Sequence, residues 1–288
     1  MTKPNLGRYG VFGLGAPTPE QAKEIEALGY GAVWVAGSPP AELEWAEGLL
    51  EATQTLCVAT GIVNIWATDP GAVSASFHRI EKAHPGRFLL GVGAGHPELH
   101  QQWQKPLEAL SEYLDELDRC GVPRERRVVA ALGPKVLRLA ADRAAGAHPY
   151  LTTPVHTARA RELMGPDAFL APEHKVTLNA DPTQARAIGR RSFETSIQKR
   201  NYRNSWKRLG FTEDDLADGG SDELVDAVVA HGTTEDVAAR LNSFLAAGAD
   251  HIPLQVLGDA DKLSVLAKLA EPLGLRRTEN SIARGAPS

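Results

Sequence analysis

Residues 85–98 read PGRFLLGVGAGHPE, and the fold turns on how that stretch is parsed. Phe88–Gly93 is an apolar run of strand length, and a helical pattern follows from about Pro106 to Cys120. Between them stand three glycines in five positions, Gly91, Gly93 and Gly95, then His96, Pro97 and Glu98. A plain turn needs one or two glycines. Three at a strand's end describe a main chain cleared of Cβ atoms, so that a flat ring or an anion can approach it. The unit is strand, open loop, helix.

That unit recurs along the chain. Strand-like runs occupy Tyr9–Gly13, Ala32–Ala36, Val58–Trp66, Phe88–Gly93, Arg127–Leu132, Ala147–Leu151, Phe169–Ala171 with Leu178 as the far limit, and His251–Leu257. Helical patterns alternate with them, several opened by a capping residue before proline, as in Thr18-Pro19, Asp69-Pro70 and Thr153-Pro154. The strands are near-continuously apolar, the pattern of strands covered on both faces, and parallel neighbours need helical crossovers. Eight sequential units in 288 residues suit a (β/α)8 TIM barrel, an α/β fold of about 250 residues. An open doubly wound sheet is the alternative. One domain spans 1–275, and the polar, Gly/Pro-bearing segment 276–288 reads as a mobile tail. Between strands seven and eight lie roughly 70 residues, against about 30 for an ordinary unit. The excess, 186–220, is a helical insertion rich in Arg and Lys, with Tyr202 and Trp206 four apart. It reads either as a basic surface helix covering the barrel mouth or a subunit partner, or as a lid whose cations meet an anionic ligand tail.

Composition narrows the partners. With 43% hydrophobic and 23% charged residues and a net charge of −5, the chain has no basic excess for nucleic acid or an anionic membrane. No apolar run reaches the ~20 residues of a membrane-spanning helix, and MTKPNLGRYG carries no signal-peptide core. Cys57 and Cys120 give neither a disulfide framework nor zinc spacing. A cytoplasmic enzyme acting on a small molecule is expected, without metal, nucleic acid or membrane.

In such a barrel, chemistry lies where strands end and βα loops begin. At the end of strand two, Ser38 is a ligand contact or part of a simple turn. Strand three, ATGIVNIW, has Gly61 within it, which marks a bulge or a close backbone approach. Its Asn64 either ties neighbouring backbone together or bonds a heterocycle edge. After strand four, the run is not GxGxxG and does not follow strand one, so it is no dinucleotide fingerprint. His96 titrates near neutrality and suits proton transfer; Glu98, His100 and Tyr150 stand behind it. After strand six, Leu151-Thr152-Thr153 precedes a helix whose N-terminus presents N–H groups and a positive dipole to an anion, though capping alone explains the threonines.

Together ATGIVNIWATDP, PGRFLLGVGAGHPE, ALGP with GAHPYLTTP, and AGADHIPLQVL resemble the luciferase-like monooxygenase superfamily, within it the actinobacterial-type branch using the deazaflavin coenzyme F420. The resemblance covers about Tyr9 to Gly274. It implies a strand-three bulge with a cis peptide at Gly61–Ile62 on which the ring rests. It places Asn64 at the ring, Ala94 and Gly95 at its edge, and Leu151, Thr152 and Thr153 at the coenzyme's tail. His96, with Glu98, is left as the proton-transferring candidate, because an Asp-His pair found in a related dehydrogenase is replaced here by Gly37-Ser38. The implied activity is hydride transfer between F420 and an unidentified small organic substrate, in a homodimer. An FMN-dependent monooxygenase on the same scaffold is the alternative. A flavin- or deazaflavin-binding protein without catalysis is a third reading.

Overall fold

A computed structural model describes residues 3–95 and 105–275. Eleven strands alternate with eleven α-helices among the described residues. The strands are β1 (Tyr9–Leu14), β2 (Ala32–Ala36), β3 (Cys57–Thr60), β4 (Val63–Asn64), β5 (Phe88–Gly93), β6 (Arg127–Val129), β7 (Gly146–Ala147), β8 (Phe169–Leu170), β9 (His174–Thr177), β10 (Val229–His231) and β11 (Ile252–Val256). Every pairing is parallel, in the path β10-β9-β11-β1-β2-β3-β5-β6-β7-β8 with β4 on β5. β8 and β9 are successive halves of one extended segment. Counted as eight staves, β3 with β4 is the third, β5 the fourth, β6 the fifth, β7 the sixth, β8 with β9 the seventh and β11 the eighth. The seventh bonds the sixth, Ala171 N–H to Ala147 O at 2.9 Å and Glu173 N–H to Pro149 O at 2.8 Å, while Asp250 N–H, just before the eighth, reaches Leu170 O at 2.8 Å. The parallel sheet therefore curls round on itself, with helices outside.

Alternation along the strands sorts the side chains. Phe12, Trp34, Ala59, Leu89, Val128 and Phe169 fill the lumen as one cluster. Val33, Val35, Leu90, Val92 and Leu254 face outward into the larger core against the helices. Trp34, fully buried at the middle of β2, donates through Nε1 to His251 at 3.0 Å and stacks on His148 with ring centroids 4.3 Å apart.

Several boundaries differ from the sequence reading, each for a local reason. Strand three is not continuous over Val58–Trp66. It breaks between β3 and β4, because Thr60 Oγ1 takes the Gly91 N–H at 2.7 Å and donates to the Gly91 carbonyl at 2.8 Å, substituting for a ladder residue. Strand six is only Gly146–Ala147; His148 onward already forms the mouth loop, with Leu151 at φ 55°. The expected helix over 182–209 is two, α7 (Pro182–Phe193) and α8 (Arg200–Leu209), and β10 was not expected at all. The tail 276–288 lies outside the described residues. No helix among the described residues is long and apolar enough to cross a membrane.

Candidate active site

The C-terminal ends of the strands gather most of the residues expected there. On β2's end, Ser38 sits exposed in a left-handed turn at φ 55°, after Gly37 at φ 88°. Across the bulge, the Gly61–Ile62 peptide is cis, the geometry the resemblance implies. Asn64 Oδ1 accepts the Trp66 N–H at 3.0 Å, and Trp66 Nε1 donates to the Ala94 carbonyl at 2.7 Å. Ala94 is half-buried and Gly95 exposed, φ 56°, where a Cβ would stand 3.1 Å from Asn64 Nδ2. Staves three and four thus form one shelf, tied together by Asn64 and Trp66.

The glycines of the opening stretch receive a different account from the one the sequence suggests. A Cβ on Gly91 would lie 2.0 Å from the Thr60 carbonyl oxygen, and one on Gly93 would lie 2.8 Å from Ala130 Cβ and 3.1 Å from the Ile62 side chain. Gly91 and Gly93 make room for the bulge itself. The cleared backbone lets stave three lean on stave four, and the shelf that results is what a ring could rest on. His96, Glu98 and His100 lie outside the described residues.

At stave six, Leu151, Thr152 and Thr153 are all buried. Thr153 caps α6 (Pro154–Met164), its Oγ1 accepting the His156 N–H at 3.2 Å. Trp206 of α8 donates through Nε1 to the Leu151 carbonyl at 3.1 Å, so the insertion is bolted onto this loop.

The lumen at the mouth holds a polar cluster of which the sequence reading singled out only Tyr150. Lys175, 1% exposed, donates to Tyr150 Oη at 2.8 Å and to Gln255 Oε1 at 2.6 Å; Tyr150 Oη donates to Gln255 Oε1 at 3.1 Å. Glu173, two residues earlier on the same face, is fully buried, with Lys175 and the Leu151 N–H favouring its charged form against burial. Burial pushes its carboxyl up to about 7 against the opposing pull of Lys175, and burial lowers Lys175 against the pull of Glu173. His148, whose Nδ1 donates to the Ala171 carbonyl at 2.8 Å, leaves Nε2 without a partner under Gly61, and burial depresses it to about 4. It is therefore neutral at physiological pH. The signal was present in PEHKV: two charges two residues apart in an extended run lie on the same face.

Two cavities lie away from the shelf. One of about 750 Å³ runs between α6, α7, α9 (Asp222–Val228) and α10 (Thr234–Ala246), past Thr153, Arg186, Asp226 and Arg240; one of about 610 Å³ lies on the outer surface near Glu235 and Lys268.

Comparison with known proteins fits this architecture. Residues 15–122 match the luciferase-like monooxygenase family model. No curated protein sequence matches the chain. Among solved structures, an F420-dependent secondary alcohol dehydrogenase in complex with an F420-acetone adduct superposes with a TM-score of 0.72 at 16% identity, over 95% of this chain and 99% of that one. The coenzyme F420 dependent tetrahydromethanopterin reductase from Methanopyrus kandleri gives 0.74 at 13% identity, over 94% and 99%. The oxygenating constituent of 3,6-diketocamphane monooxygenase from Pseudomonas putida, in complex with FMN, gives 0.65 at 15% identity, over 94% and 97%. The chain as a whole has the barrel fold of these structures.

Proposed function

We propose that the protein is an oxidoreductase that holds a flavin-type ring on the shelf of staves three and four, coenzyme F420 before FMN, and passes hydride between it and a small organic substrate. The observation that carries this reading is the shelf itself. Ile62, Ala94 and Gly95 offer it backbone and short apolar surface, while Asn64 and Trp66 fix its height. The unpartnered His148 Nε2 beneath Gly61 and the unpartnered Thr152 Oγ1 beyond it fit a bound group that is flat at one end and polar at the other.

When bound, such a ring supplies a carbon that gives or takes hydride. The chain supplies position, a dry floor and a place for the proton. Trp34, Phe12 and the neutral His148 form that floor and keep water out from below. Lys175 aims Tyr150 and Gln255 into the mouth, and Glu173, with its raised affinity for a proton, holds one near neutrality. His96, with Glu98 behind it, remains the proposed proton partner of the substrate. Ser38 and Leu151–Thr153 are the proposed contacts at the ring's far side and tail. A small molecule, and no nucleic acid or membrane, is the proposed partner, in a homodimer.

The FMN complex of one structural neighbour keeps an FMN monooxygenase as the second reading. Titration of the full chain with F420 and with FMN, followed by tryptophan fluorescence, separates the two, because Trp66 lies on the shelf. Quenching by F420 at micromolar concentration, with FMN much weaker, is expected. The reverse order would favour the monooxygenase. Quenching by neither would overturn the reading.

A further inference from the structure

Three polar side chains from three different staves meet at the mouth. Tyr150 comes from the loop after stave six, Lys175 from stave seven and Gln255 from stave eight. Apolar side chains would close the ring at least as well, because burying a lysine beside a glutamate carries a desolvation cost that their attraction barely repays.

The hydrogen bonds of this cluster are unequal, and the inequality leaves one proton to spare. Lys175 Nζ donates to Gln255 Oε1 at 2.6 Å and to Tyr150 Oη at 2.8 Å. Tyr150 Oη donates to the same Gln255 oxygen at 3.1 Å, beyond the roughly 2.5–3.0 Å usual for an O–H···O bond. The lysine already satisfies Gln255, and the phenol holds its proton in the long, weak bond. That proton can turn to a third acceptor. Of the three side chains only Tyr150 is partly exposed, so the acceptor must come from the mouth.

The place suits a substrate lying over the shelf. Phe12 stands between the two: its ring centroid is 5.6 Å from that of Tyr150, and its Cε2 is 2.8 Å from where a Cβ on Gly61 would lie. One aromatic ring thus separates the phenol from the cis peptide of the bulge. Lys175 also strengthens the phenol as a donor. Its ammonium bonds the phenol oxygen and lies 4.9 Å from the ring centroid, so it draws electron density away from the O–H. Burial, with Glu173 and Tyr202 adding to it, raises the phenol well above its usual range, so the proton stays in place to be donated.

We propose that Tyr150 is a catalytic residue that donates a hydrogen bond to a carbonyl or hydroxyl oxygen of the substrate, on the carbon that exchanges hydride, and that Lys175 and Gln255 position it. This rests on the proposed function for the hydride. With the reduced deazaflavin as hydride source, the carbonyl carbon gains a C–H bond and its π pair moves to the oxygen. Tyr150 O–H, backed by Lys175, meets the charge that gathers there. The oxygen then takes its proton from the proton partner of that same reading. In reverse, the same contact orients the alcohol.

The test uses the full chain loaded with F420 and a panel of linear and cyclic ketones with their matching secondary alcohols, read by the ring's visible absorbance. Tyr150→Phe keeps the aromatic ring packed against Phe12 and Tyr202, so it should fold. On the panel member that wild type turns over best, it should lower kcat roughly 100-fold and leave KM within about threefold. F420 affinity, read by tryptophan fluorescence, should stay within about twofold. Lys175→Met should lower kcat in the same way, and the double variant no further than the worse single one, because the lysine acts through the phenol. An unchanged kcat in either single variant, or equal losses of turnover and F420 affinity, would overturn the assignment. So would a wild type that binds F420 and turns over no member of the panel, an outcome that leaves the ring reading standing. If F420 does not bind, the functional reading fails by itself, and cyclohexanone alone decides. A rise in the thermal midpoint of wild type that Tyr150→Phe abolishes supports the oxygen contact; no rise, or one that Tyr150→Phe keeps, overturns it.

Discussion

Gly91 shows how one missing methyl group holds a site together. Its neighbour across the bulge is a backbone carbonyl, not a flexible side chain, so the 2.0 Å approach of an added Cβ cannot be relieved by a rotamer change. Overpacking in a filled core costs about 1–3 kcal/mol and more where backbone must move. Gly91→Ala should therefore lose at least ~3 kcal/mol in urea unfolding. Gly95→Ala offers the contrast. It meets only the Asn64 side chain and carries a left-handed φ, a cost of about 1 kcal/mol. Equal losses in the two variants would show that the bulge does not depend on Gly91.

At the scale of elements, what could be read from the sequence followed from periodicity. The alternation of apolar strands with proline-opened helices was visible because a parallel barrel forces it. The bulge was foreshadowed by Gly61 inside an apolar run, but its hydrogen bonding was not, since Thr60 substitutes for the ladder with a side chain. β10 escaped notice because Val229–His231 continues the apolar face of α9 without a turn signal between them. The basic insertion read as a surface helix or a lid. In the structure α8 buries Tyr202, Ser205 and Trp206 against the stave-six loop and turns its charges outward. Glu173 and Lys175 were overlooked as site residues for a physical reason. Charges inside a barrel strand contradict the pattern used to recognise the strand, and only the closed ring shows that both face the mouth.

Among the described residues four histidines are sealed away from water, His148, His156, His174 and His251; burial lowers each of them, and this sets the response to acid. Burial depresses His148 and His251 to about 4 and His174 to about 3. In the unfolded chain each titrates near 6.5. Between pH 6.5 and 4 the unfolded state therefore binds more protons, so stability is complete above 6.5 and falls as the pH drops through that window. Glu173 acts in the opposite sense, because a carboxyl raised to about 7 favours the folded state as it protonates. The histidines outnumber it. Unfolding free energy in urea should fall by roughly 2 kcal/mol from pH 6.5 to 5.5. A flat profile across that interval would mean that the lumen is open to water.

The central claim is a location: a flavin-type ring lies across staves three and four, with its tail reaching stave six. Hydrogen exchange of the full chain, with and without saturating F420, reads that location directly. The account predicts slowed exchange at residues 61–66, 93–95 and 151–156 and little change elsewhere in the described chain. Protection confined to the cavity near Arg186 and Arg240, with the shelf unaltered, would contradict it.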